Sequence, residues 1–109
     1  MASIIRGDDN FDSEAGSALK AWVNFQGSGT VVIRSAYNVT SITDNGTGDY
    51  TINYTTPFAD TDYSLNSSCD YHFVKLNTFT TTNSRILSLD KSDSTVFRDA
   101  GVVCASIHR

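Results

Sequence analysis

From Ala21 to Tyr54 the chain keeps returning to an alternation of apolar and polar side chains, and this most constrains its fold. Ala21, Val23 and Phe25 stand on one side, with Trp22 and Asn24 on the other; Tyr50, Ile52 and Tyr54 alternate with Thr51, Asn53 and Thr55. A period of two sends successive side chains to opposite faces of a strand, so one face is buried and the other meets water. "QGSGT" (Gln26–Thr30) supplies a turn before Val31 and Ile33, and a bend is expected between Tyr37 and Val39. "DNGTGD" (Asp44–Asp49) is the strongest turn signal, its Asn45–Gly46 pair expected to supply the positive φ angles of a tight hairpin. Pro57 ends the pairing because it cannot donate to a ladder.

The alternation continues downstream. A strand begins at Tyr63 to Ser67, and through Cys69–Val74 the residues Cys69, Tyr71 and Phe73 share one face while Asp70, His72 and Val74 share the other. Thr78–Thr82 and Arg85–Leu89 read as further strands, "DKSDS" as a turn, and Val102–Ile107 as the last strand, with Val103, Ala105 and Ile107 inward. Abundant Thr and aromatic residues with a single Pro fit strands, and abundant Asn, Asp, Ser and Gly fit the turns between them. The expected fold is all-β: an antiparallel, jelly-roll-like β-sandwich of about eight short strands over residues 21–109. Its expected core is Val23, Phe25, Val31, Ile33, Tyr50, Ile52 and Tyr54. Residues 1–20 break the pattern and carry Asp8, Asp9, Asp12 and Glu14; they read as an extended or short helical N-terminal arm.

Composition argues against several functions. The net charge is −4 and the eight Lys and Arg are scattered, whereas nucleic-acid binders present a basic field. No apolar run approaches the roughly 18–20 residues of a membrane-spanning helix, so no membrane insertion is expected, and no secretory signal is read at the N-terminus. The two cysteines, Cys69 and Cys104, are expected to be free thiols. Cys69-x-x-His72 and Cys104-x-x-x-His108 suggest zinc, but on a strand Cys69 and His72 would face opposite sides, defeating convergence. No Gly-x-Ser-x-Gly elbow occurs, the acids Asp60, Asp62 and Asp70 form no catalytic pattern, and "DNGTGD" is too short for a calcium loop. The expectation is a non-enzymatic protein with no metal and no cofactor.

If Val23 and Phe25 face the core, Trp22 stands on the outer face, capped by the arm or buried between subunits; reversed parity would instead put it in the core.

The text "KAWVNFQGSGTVVIRSAYNVTSITDNGTGDYTINYTTPFADTDY", Lys20 to Tyr63, with "VVCASIHR" at the end of the chain, resembles a module of tail-fibre and other virion-associated proteins of tailed bacteriophages, marine and cyanobacterial ones especially. The resemblance implies a virion structural protein, commonly a homotrimer, displaying loops toward a host surface. It carries over no catalytic residue. On this basis Lys20–Thr56 is read as frame, with function expected in Ser64–Ala100 and in the arm. The expected function is host attachment by a tail fibre or tail tip through a surface glycan, with Tyr71, His72, Asn77 and Asn83 as receptor-binding candidates and Trp22 and Arg34 as oligomer-interface candidates. The alternative is a capsid or tail decoration or adaptor protein whose arm docks on other virion proteins through Ile4, Ile5 and Phe11. Either place is on the virion.

Overall fold

The computed structural model describes residues 18–70 and 72–109, so Ile4, Ile5, Phe11 and Tyr71 lie outside the described residues. The described chain forms nine strands and no helix: β1 (Leu19–Gln26), β2 (Val32–Tyr37), β3 (Val39–Gly46), β4 (Asp49–Tyr54), β5 (Ser64–Cys69), β6 (Phe73–Phe79), β7 (Asn83–Asp90), β8 (Asp93–Phe97) and β9 (Val103–His108). All pairings are antiparallel. One sheet runs β2-β1-β9-β5 and the other β3-β4-β7-β6, with β8 also pairing with β7. Their apolar faces meet in one core, which is the expected all-β sandwich.

Ala21, Val23 and Phe25 of β1 and Val103, Ala105 and Ile107 of β9 face Tyr50, Ile52 and Tyr54 of β4 and Ile86 of β7, all buried. Phe25 meets the Tyr50 ring edge-on, centroids 5.2 Å apart. Val31, just before β2, and Ile33 on it are only partly buried, because β2 is an edge strand among the described residues. The buried tyrosine hydroxyls are satisfied, as burial demands. Tyr50 donates to the Gly27 carbonyl at 2.8 Å, and Tyr54 and Tyr63 each lie 2.6 Å from Ser84 Oγ. Burial pushes the Tyr50 and Tyr54 hydroxyls well above the ordinary phenol range.

Three local expectations change. Cys69–Val74 is not one strand: β5 ends at Cys69 in the first sheet and β6 starts at Phe73 in the second. The crossing is pinned by Asp70, whose carboxylate accepts the Val102 N–H at 3.1 Å. The odd-spacing argument against a Cys69–His72 metal pair therefore does not hold as made. Cys69 packs toward the core, however, while Cys104 stands on the opposite face of its sheet, both with free thiols. Among the described residues no group of three His, Cys, Asp or Glu is placed to hold a metal ion. Secondly, Thr80–Thr82 is a turn: Thr80 Oγ1 accepts the Thr82 and Asn83 N–H groups at 3.2 and 3.1 Å. Thirdly, the positive-φ residues of the β3–β4 hairpin are Gly46 (φ 136°) and Gly48 (φ 64°), not Asn45. Asn45 sits at a register shift and donates to Thr51 Oγ1 at 2.8 Å.

A salt bridge braces the outer face of the second sheet. Arg85 Nε lies 2.8 Å from Asp49 Oδ1, and Nη2 reaches the other carboxylate oxygen. These hydrogen bonds hold the Asp49 carboxyl below its ordinary range, against the opposing effect of its burial. A depressed folded-state pKa gives stability that is full above the ordinary carboxylate value of about 4 and is lost as pH falls through the folded-state value. Asp49→Asn is thus expected to lower the melting temperature at neutral pH, by roughly 4–8 °C for about 1 kcal/mol. The gap to wild type should narrow as the pH falls below about 4 and through the lowered folded-state value. A gap that persists in acid would remove the pair as its cause.

Candidate functional site

The chain passes from the first sheet to the second at Asn38, the single described non-glycine residue with positive φ, 55°. Asn tolerates this left-handed conformation better than most residues, and here its side chain also closes a junction. Nδ2 donates to the Lys20 carbonyl at 3.1 Å and the Thr56 carbonyl at 3.2 Å; Oδ1 accepts the Thr56 N–H at 2.7 Å. One amide thus ties the start of β1 to the segment that follows β4.

Beside this junction lies an open groove of about 610 Å³. Tyr37, Pro57 and Phe58 give it apolar walls, and Thr55 and Thr56 bring hydroxyls. Phe58 is fixed: its ring stacks on Tyr54 at 4.7 Å and meets Tyr63 edge-on at 4.7 Å. Tyr37 is 55 % exposed and its hydroxyl has no described partner. Asn38 faces the groove too, but its amide is fully used in the frame. Lys20 and Arg109 bring two cations, and no acid is among the described residues that line the groove. Arg109 is engaged by Asp60, with Nε to Oδ1 at 2.9 Å and Nη2 to Oδ2 at 2.7 Å, which holds the Asp60 carboxyl down to about 2.

The residues singled out from sequence lie elsewhere. Trp22 and Arg34 share the outer face of the first sheet. Trp22 is half-buried, in register with Tyr37 and Ser106, and borders a shallow groove of about 420 Å³ with Asn24, Asn66 and Ser106. Arg34 is the extra residue at the β1–β2 register shift and reaches the Gly101 carbonyl at 3.0 Å. His72, Asn77 and Asn83 are not brought together. His72 precedes β6, with a buried Nδ1 that has no partner among the described residues; Asn77 is the extra residue at the β6 register shift; Asn83 opens β7 beyond the far end of that hairpin. About 20 Å of strand separates His72 from Asn83.

The groove is drawn mainly from Lys20–Ala59, largely the segment read as frame. Its one sequence signal is the Asn that interrupts the alternation between Tyr37 and Val39. Comparison of the chain with protein-family models, with curated proteins and with solved structures finds no match.

Proposed function

We propose that this is a non-enzymatic, glycan-binding β-sandwich displayed on the virion of a tailed phage, in a tail fibre or tail tip, where it attaches to host-surface sugar. The observation that carries the binding part is the exposed Tyr37 ring in a groove lined by threonine side chains, on a frame locked by Asn38. An aromatic face takes the apolar side of a sugar ring, and hydroxyl groups exchange hydrogen bonds with its hydroxyls. A groove this open and shallow suits a surface oligosaccharide better than an enclosed small molecule. The phage part rests on the resemblance carried by Lys20–Tyr63. An antibody to the domain should label the tips of tail fibres; label confined to the capsid would favour an adaptor role instead.

Tyr37→Ala tests the binding site. Because Tyr37 is 55 % exposed on an edge strand, its loss should leave the fold intact. Affinity for a bound oligosaccharide is expected to drop about tenfold, the worth of one aromatic contact of roughly 1–1.5 kcal/mol. Unchanged affinity in a folded Tyr37→Ala protein would place any sugar site elsewhere.

A further inference from the structure

We infer that the groove takes a carboxylated sugar, a hexuronate or a sialate, with its carboxylate on the Lys20 ammonium and its ring on Tyr37; this rests on the glycan-binding reading above. The groove runs against the charge of the chain. Overall the protein is −4, yet the described lining of this groove carries two of its eight Lys and Arg and no acid. The two cations are not equivalent. Arg109 is neutralised by its two-pronged contact with Asp60, while no described residue pairs with the Lys20 ammonium.

The position of Lys20 follows from the strand geometry. In the β1–β9 ladder Leu19 pairs with His108 and Ala21 with Ile107, so Lys20 is an extra residue with no opposite number. A bulge turns its side chain out of the regular alternation and re-aims it, here onto the groove. The Lys20 carbonyl is held by Asn38 Nδ2 at 3.1 Å, so the base of the side chain is fixed. Tyr37 stands on the adjacent strand one step inward, opposite Trp22. A sugar ring stacked on Tyr37 therefore presents its substituents toward one ammonium that no described residue pairs with. A single compact cation matches the single charge of a carboxylate, and a charge-assisted hydrogen bond is about twice as strong as a neutral one.

The test is a glycan array of matched pairs: oligogalacturonate with its methyl ester, and sialyllactose with lactose. Wild type, Lys20→Gln and Lys20→Arg are compared on the full chain, with melting temperatures checked. Wild type is expected to favour the acidic member of at least one pair by about tenfold. Lys20→Gln should abolish that preference, so that the two members of a pair bind alike, and Lys20→Arg should retain it. Raising the salt concentration should shrink the preference. Equal binding of both members by wild type, or a preference that survives Lys20→Gln, overturns the acidic-sugar inference and leaves the glycan reading standing. Binding to no member of either pair overturns the inference as well. If the protein also binds none of a broad panel of neutral glycans, the glycan reading falls with it.

Discussion

Gly48→Ala is expected to be severely destabilising. Gly48 has φ 64°, a conformation that costs an L side chain roughly 1 kcal/mol. Space is the larger problem. A Cβ there would lie 2.6 Å from the Ser88 carbonyl oxygen and 2.7 Å from both the Arg98 nitrogen and the Arg98 carbonyl oxygen. All three are backbone atoms, so no side chain can swing aside. They belong to the junction where β8 takes over from β4 along β7. The Gly48 carbonyl accepts the Ser88 N–H at 2.8 Å, and the Ser88 carbonyl accepts the Arg98 N–H at 3.0 Å. The Gly48 N–H donates to Asp99 Oδ1 at 2.8 Å. Making room for a methyl group breaks several of these bonds together, and the expected loss is about 3 kcal/mol or more, out of a typical total of about 5–15 kcal/mol. Gly46→Ala is the internal control. Its φ of 136° is also unfavourable, but nothing lies within 4 Å of a Cβ there. It should cost only about 1–2 kcal/mol. Urea titration of the two variants reads the difference directly, and equal midpoints would refute the steric account.

Asn38→Ala should have the second largest effect, and it joins stability to function. It puts Ala at φ 55° and removes three side-chain hydrogen bonds, to Lys20 and Thr56 backbone groups. The bonds are exposed, so each is worth about 0.5–1 kcal/mol, and the conformation adds about 1 kcal/mol. The sum is a loss of about 2–4 kcal/mol. Asn38→Gly separates the two causes, since glycine accepts the backbone angle but cannot make the bonds. Gly should therefore be more stable than Ala by about 1 kcal/mol. Glycan affinity should fall in both, because the wall holding Thr56 is no longer tied to β1. Ala and Gly variants that bind like wild type would show that the junction does not shape the groove.

Much of the fold was legible because the buried rows repeat every second residue. Ala21, Val23 and Phe25, then Tyr50, Ile52 and Tyr54, then Val103, Ala105 and Ile107 all face the core as their spacing implies. What escaped was every feature that breaks the period. An extra residue at a register shift carries no mark of its own, so Lys20, Arg34 and Asn77 could not be placed from alternation. The crossing between β5 and β6 escaped for the opposite reason: the text from Cys69 to Val74 alternates without a break, although the chain changes sheets there and Cys69 and Val74, expected on opposite faces, both pack on the core. Thr80–Thr82 reads as strand by propensity, yet Thr80 uses its hydroxyl to cap a turn. The groove was the least legible element. Its bend at Asn38 is visible in the text, but Lys20, Thr56 and Arg109 come to it only through contacts between segments far apart in the chain.

The most direct measurement is an amide-resolved NMR titration of the protein with an oligosaccharide it binds. Shift changes are expected to concentrate at residues 36–38 and 55–59 and at Lys20, with the outer face around Asn66 and Ser106 and the β6–β7 hairpin undisturbed. Changes confined to that outer face or to the hairpin, with Tyr37 and Thr56 silent, would contradict the assignment of the groove as the sugar site.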